Sequence, residues 1–264
     1  MRYGMRYGMR DSARFGLHGL HGLPGVRAGS RSGSRSDGHG VSPAVASTAA
    51  AAGSATHASL ARSLKRLFDV TAAAFLLALL APLFAWVAWR IRAEDGGPVL
   101  FAQMRVGQEG REFRLLKFRS MVRDADAILA RWRSDDPALY RRYVENNFKL
   151  PDDPRVMRVG RWLRRASIDE LPQLVNVLKG EMSLVGPRPL LARELPDYPA
   201  EAFTHYTALR PGITGLWQIS GRSRTSFGER AACDVRYAGN WSLWRDLVIL
   251  MRTIPVVMRR DGAY

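Results

Sequence analysis

At 264 residues the chain has room for one good-sized domain and a tail, and its net charge of +16 calls for an anionic partner: nucleic acid, an anionic membrane surface or phosphorylated substrates. A single cysteine, Cys233, excludes an internal disulfide and a cysteine zinc cluster, which suits a reducing compartment. Of the five histidines, His18, His21, His39 and His57 lie in the tail and only His205 beyond it, so histidine-based triads and multi-histidine metal sites are disfavoured and the chemistry falls to carboxylates.

Residues 1–60 read as a disordered, low-complexity tail. They open with "MRYGMRYGMR", pass through "GSRSGSRSDGHG" and end in an Ala/Ser run, with too few apolar residues to offset the entropy of ordering. Residues 1–62 hold eight arginines and two aspartates, which is +6 of the total.

Residues 61–95 contain "LFDVTAAAFLLALLAPLFAWVAWRI", Leu67 to Ile91, long enough to span a bilayer. Two features favour a re-entrant helix-break-helix hairpin over a span. Arg62, Lys65 and Arg66 precede the segment and Arg90 and Arg92 follow it; flanking cations stay on the cytoplasmic side, and only a segment that returns by the same face keeps both clusters there. Pro82, in the middle, cannot donate to the Ala78 carbonyl, so the helix is expected to break there. Trp86 and Trp89 would then lie near the interface.

Residues 96–264 form the expected catalytic domain, a mostly helical α+β fold with a small sheet. In "LLKFRSM", Leu116 and Phe118 alternate with Lys117 and Arg119, which predicts a short strand with one basic face; the cations bind phosphate or are simply solvated. "DDPRV" offers Asp153 and Arg155 as substrate or metal-shell residues, or as an Asp-Pro turn. "RRASIDELPQL" sets Asp169 beside Glu170, downstream of Arg164 and Arg165. Ser167 and Glu170 fit a capping box, but Pro172 would then fall where a helical amide is needed, so the helix should start at Asp169 or later and close at Gly180. That places both carboxylates at the positive end of a helix dipole. Carboxylates there could hold Mg²⁺ while arginines grip phosphate, and one carboxylate could attack phosphorus; an ordinary charged helix start remains the other reading. "GPRPLL" holds Arg188 stiffly between Pro187 and Pro189, as a diphosphate contact or a rigid turn. "RPGITG" reads as a glycine-bounded turn. The C-terminal "WSLWRDLVILMRTIPVVMRR" reads as an interfacial helix or one packed on the core.

"KRLFD", "APLF", "LLKFRSM", the long block from "DDPRVMRVGRWLRRASIDELPQL" to "GPRPLL", "RPGITGLWQISGR" and "NWSLWRDLVIL" follow one another in order. Together they closely resemble the bacterial sugar transferase family, the monotopic polyprenyl-phosphate phosphoglycosyl transferases, from Lys65 to the C-terminus. Members that start exopolysaccharide synthesis as undecaprenyl-phosphate galactosyl- or glucosyl-phosphate transferases are most similar. The resemblance implies transfer of a hexose-1-phosphate from a UDP-hexose to undecaprenyl-phosphate, with UMP released through a covalent aspartyl-phosphosugar intermediate. Asp169 matches the nucleophile. Glu170 matches its dyad partner, acting through Mg²⁺ or through proton handling. Arg164 matches the phosphate-binding arginine, with Arg165 as the alternative. Arg155, Arg188, Lys117 and Arg119 are the further expected substrate contacts, and Asp169 and Glu170 the expected Mg²⁺ ligands. Inner-membrane lipid is an expected partner, with the catalytic domain on the cytoplasmic face of a bacterial inner membrane. Nucleic acid is not expected, because no reading module is present; a homo-oligomer is left open. A membrane glycosyltransferase acting without a covalent intermediate and a basic membrane-associated scaffold are the rival readings. Two departures from the family pattern stand out: Ser120 where many members carry threonine, and Ala81 where a serine commonly precedes the helix-breaking proline.

Overall fold

The structure is a computed structural model that describes residues 43–146, 150, 152–220 and 226–258, with backbone alone for 43–58. The Gly/Ser/Arg part of the expected tail, residues 1–42, and the C-terminal "DGAY" lie outside the described residues. The chain divides into two units, Met1–Ser47 and Thr48–Tyr264, and the architecture below is that of the second.

Helix α1 spans Pro43–Leu79, so it starts inside the stretch assigned above to a structureless tail. The cause is local: the run after Pro43 is rich in alanine, the strongest helix former, and proline is tolerated in a first turn. Helix α2, Ala81–Asp95, ends on Gly96 in the left-handed conformation (φ 63°). The two axes bend by 60° across Leu80. Pro82 has no amide hydrogen for Ala78, whereas the Leu80 and Phe84 amides keep bonds of 2.9 Å to the Leu76 and Leu80 carbonyls. The break is therefore seated two residues before the proline, in the turn whose bond the proline removes. Among the described residues no single helix is long and apolar enough to cross a membrane; Ser59–Leu79 and Ala81–Asp95 reach that length and composition only together, as a bent pair.

The "KRLFD" residues fasten α1 to the domain. Lys65 Nζ lies 2.7 Å from Asp246 Oδ2, and Arg66 donates to the Val177 carbonyl at 2.7 Å. Asp69, buried, accepts from Ser183 Oγ (2.8 Å) and from the Leu184 amide (3.2 Å).

Strands β1 (Leu100–Val106) and β2 (Glu112–Phe118) form an antiparallel hairpin in which Leu100 faces Phe118 and Val106 faces Glu112. The strand expected around Lys117 is thus present, but it stops at Phe118, so Lys117 lies on it and Arg119 just beyond its end. Phe113 and Leu115, on the same face by the two-residue period, are buried. Helices α3 (Ala125–Asp135) and α4 (Pro137–Glu145) follow, joined through Asp136, whose side chain caps α4 at the Leu139 amide (3.0 Å).

Helix α5 (Arg158–Arg165) packs against α2 through Val159 and Leu163, which bury with Val87, Ile91 and Phe118. Each fully buried aliphatic side chain here contributes about 1.5–3 kcal/mol. Gly160 makes the approach possible, since a Cβ there would lie 2.0 Å from the Ser120 carbonyl oxygen. Glu94, in the last turn of α2, accepts from the first amides of α5, Arg158 at 2.5 Å and Val159 at 3.0 Å, and so satisfies orphan donors at its start.

A short 3-10 turn, Ile168–Glu170, precedes helix α6, Gln173–Lys179, which closes on Gly180 (φ 85°). The stop at Gly180 is as expected. The start falls later than Asp169, within the expected range: Pro172 is the N-cap, so the carboxylates lie in the 3-10 turn just ahead of the α-helix and not in its first turn. Ser167 makes no capping bond. Strand β3 (Ser183–Val185) pairs in parallel with β4 (Gly212–Thr214). This corrects the reading of "RPGITG" as a turn: its middle is a strand, and Gly212 is needed because a Cβ would meet the Gly186 amide nitrogen at 2.1 Å. Helices α7 (Ala200–Thr207), α8 (Leu216–Ser220), α9 (Phe227–Gly239) and α10 (Leu243–Met258) complete the chain. The C-terminal helix packs on the core through buried Asp246 and Ile249, and on its other side Trp244, Leu247, Met251, Ile254 and Met258 form an exposed apolar stripe.

Candidate active site

The hinge between α5 and α6 carries the two carboxylates. Ser167 takes φ 54°, a left-handed conformation unusual for a residue with a side chain. It turns the chain sharply from α5 into the 3-10 turn and sets Asp169 and Glu170 at the wall of a cleft of about 990 Å³. Asn176 holds this hinge against β2. Fully buried, it accepts from the Leu116 amide (3.0 Å) and donates to the Arg114 carbonyl (2.7 Å), taking the place of a neighbouring strand.

Cations converge on the same wall. Lys117 Nζ, near the end of β2, is 2.7 Å from Glu170 Oε1, and Arg188 Nη1 lies 3.9 Å from the same oxygen. Arg164 Nε donates to Ser120 Oγ at 2.9 Å. Arg119 pairs with Asp95 at the end of α2, while its Nε and Nη2 are buried without a hydrogen-bond partner among the described residues. Lys117, Arg119, Arg164 and Arg188 all line the cleft. Burial pushes the Asp169 carboxyl up to about 6; Lys117 pulls it back down, Glu170 raises it further and Arg164 lowers it. Burial also lowers the Arg164 guanidinium from its usual range, against the attraction of Asp169. A carboxylate held this way is partly withdrawn from solvent and surrounded by positive charge, a setting that favours anionic ligands beside it.

Two expected residues stand elsewhere. Arg155 does not line the cleft: it is 3% exposed, its Nη2 is 2.7 Å from Asp153 Oδ2, and its guanidinium is sandwiched 4.7 Å from both the Trp132 and Tyr143 ring centroids. With its fork taken by a carboxylate and its faces by aromatic rings, it ties α3 and α4 to the core. Arg165 is exposed and does not line the cleft.

Sequence reasoning missed the residues that aim Arg188. The Gly212 amide donates to the Pro187 carbonyl (2.8 Å), Arg230 to the Arg188 carbonyl (2.9 Å) and Arg105 to the Pro189 carbonyl (3.1 Å), so all three backbone oxygens of the Pro-Arg-Pro turn are held. Burial drives the Arg105 guanidinium down to about 10, with Arg188 the next cause. Trp217 completes this side, 5.7 Å from Arg188 and 5.3 Å from Arg230. In a chain with 40 Lys and Arg, two more arginines carry no local signal; the tryptophan beside "RPGITG" was the one usable cue.

Residues 60–260 match the family described as bacterial sugar transferase. The chain is 46% identical over 200 residues to the exopolysaccharide production protein ExoY of Sinorhizobium fredii, covering 76% of this chain and 88% of that protein. It is 46% identical over 210 residues to a UDP-glucose:undecaprenyl-phosphate glucose-1-phosphate transferase of Caulobacter vibrioides, covering 76% and 72%. Against the undecaprenyl-phosphate galactose phosphotransferase of Salmonella typhimurium it is 45% identical over 204 residues, 77% of this chain but only 42% of that longer protein. On the family match and these identities, the chain belongs to the bacterial sugar transferase family.

Proposed function

We propose that this chain transfers a hexose-1-phosphate from a UDP-hexose to undecaprenyl-phosphate, releasing UMP, as the opening step of exopolysaccharide or capsule assembly. One observation carries the reading: in a member of this family, the half-buried Asp169 carboxyl stands in a cleft where Lys117, Arg119, Arg164 and Arg188 converge. The names of the relatives supply the substrates, a UDP-hexose and undecaprenyl-phosphate.

An Asp169 oxygen attacks the β-phosphorus of the nucleotide sugar. The bond from that phosphorus to the bridging oxygen breaks, UMP leaves with the electron pair, and the sugar phosphate remains as an acyl-phosphate on Asp169. A phosphate oxygen of the lipid then attacks the same phosphorus, and Asp169 departs as carboxylate. Both steps bring anion to anion, so they depend on the ring of cations: Arg164 and Arg119 hold phosphate oxygens, Arg188 faces the diphosphate, and Lys117 neutralises Glu170. The donor set fits Mg²⁺, which is ordinarily held by one or two carboxylates together with substrate phosphates and water. Asp169 and Glu170 would hold it; among the described residues no third acidic, cysteine or histidine side chain joins them. When bound, the ion offsets charge on the diphosphate.

The bent pair α1–α2 with exposed Phe75, Leu79, Trp86 and Trp89, and the exposed stripe of α10, are read as the surfaces that sit in one leaflet of the inner membrane, the cleft opening on its cytoplasmic face. In a Cys233→Ser background, cysteines introduced by Leu60→Cys and Arg92→Cys should both react with a cytoplasmic label; reaction from opposite sides would replace the hairpin with a span.

Product analysis tests the chemistry. With UDP-hexose labelled in the β-phosphate, the parent should release UMP and carry an acid-labile label on position 169, and Asp169→Asn should do neither while still fractionating with membranes. Release of UDP instead would mean transfer of the sugar without its phosphate and would remove Asp169 from the nucleophile role.

A further inference from the structure

We propose that the outer face of α5 is a docking site for the headgroup of an anionic phospholipid, separate from the cleft. Arg158, Arg161, Trp162 and Arg165 recur at helical spacing on one face and, with Ala166, line a cup of about 220 Å³. That volume is several times the ~30 Å³ share of a water molecule, so the cup admits a phosphodiester group. The opposite face, Val159, Gly160 and Leu163, is buried, and the near-contact of Gly160 with the Ser120 carbonyl fixes which way the helix is turned. Three guanidinium groups are thereby presented to the outside. Among the described residues none of the three forms an ion pair with an acidic side chain, and Arg161 Nη1 donates to the Val156 carbonyl at 3.3 Å.

Such a concentration of positive charge wants an anion, and its surroundings say which kind. Trp162, 42% exposed, packs edge-on against Trp86 of α2 at 5.3 Å between ring centroids, and Trp86 and Trp89 are themselves 45% and 60% exposed. The cup is therefore continuous with the tryptophan-bearing face of the bent helix pair, and amphipathic rings beside arginines match the level of lipid headgroups. Arg164, which serves the cleft, lies about a third of a turn away around α5. Cup and cleft share only Ala166 in their linings. A phospholipid seated here would hold the cleft mouth at the bilayer surface.

The inference rests on the membrane placement proposed above, and the test separates the two. The full chain is reconstituted in bilayers of equal parts phosphatidylcholine and phosphatidylglycerol, with bromine on the acyl chains of one lipid or the other, and quenching of tryptophan fluorescence is read in the parent and in Trp162→Phe. The share of signal due to Trp162 should be quenched more by brominated phosphatidylglycerol. In Arg158→Gln/Arg161→Gln the preference should fall on the order of tenfold, to near parity, with turnover of UDP-hexose unchanged, and Arg158→Lys/Arg161→Lys should retain it. Equal quenching by both lipids in the parent, or a preference that survives the glutamine variant, overturns the site. So does a raised KM for undecaprenyl-phosphate in the glutamine variant with the preference intact, since the cup would then serve the lipid substrate. Absence of quenching by either lipid sinks the membrane placement itself, and the site with it.

Discussion

Asp169 carries a costly charge in the cleft. Burial holds its carboxyl near 6, and Lys117 and Arg164 are what keep it from rising further. Arg164→Ala should therefore do two things at once. Loss of a donor aimed at developing charge should cut kcat/KM by roughly 100-fold, and the acid limb of the kcat/KM profile should move to higher pH, because the free enzyme's carboxyl loses a cation that favours ionisation. Arg165→Ala, on the solvent side, should leave both the rate and the limb in place. Equal losses from the two variants would return the phosphate role to an open question. The adjacency of Asp169 and Glu170 and the nearby Arg164 were legible in the sequence because they are local. Arg155 was misplaced for a related reason: "DDPRV" advertises a charge pair, but only the fold shows that Trp132 and Tyr143 close over it.

At the level of elements, the site depends on two contacts in which backbone meets backbone or its substitute. Gly160 lets α5 touch the Ser120 carbonyl, and the Met157 amide bonds to that same oxygen at 3.0 Å. Gly160→Ala puts a methyl group 2.0 Å from an oxygen that cannot swing aside. The expected cost is about 3 kcal/mol, seen as a lower midpoint in thermal unfolding, with turnover falling because Arg164 and Ser120 separate. An unchanged midpoint would show that α5 has slack against the segment that follows β2. Asn176→Leu keeps much of the volume but leaves the Leu116 amide and the Arg114 carbonyl without partners. It should cost about 3 kcal/mol as well, whereas an exposed substitution on α3 should cost little. Pro82 and Gly180 marked element ends readably, since each acts through its own backbone. The strand β4 was unreadable in "RPGITG", because what makes it a strand is pairing with β3, a partner nearly thirty residues away, and proline and glycine there mimic a turn.

Across the whole molecule, the carboxylates buried without full compensation set how stability responds to acidity. Asp234 on α9 is 3% exposed and accepts from the Tyr198 hydroxyl at 2.8 Å, which ties α9 to the segment before α7. Burial pushes its carboxyl up to about 6, against smaller downward pulls from Tyr198 and Arg230. An unfolded aspartate titrates near ~3.9, so between the two values the folded chain binds the extra proton. Stability tied to this group is complete below about 4 and is lost as the pH rises through about 6. A displacement of about two pH units amounts to about 3 kcal/mol. Asp169 adds a term of the same sign. The unfolding free energy of the parent should therefore decline from pH 4 toward pH 7, and Asp234→Asn, which keeps an acceptor for Tyr198, should flatten that slope by roughly half while leaving Asp169's share. Denaturant unfolding at a series of pH values checks this directly. A slope in the variant as steep as in the parent would mean that Asp234 stays ionised throughout, held by Arg230 more strongly than burial opposes it.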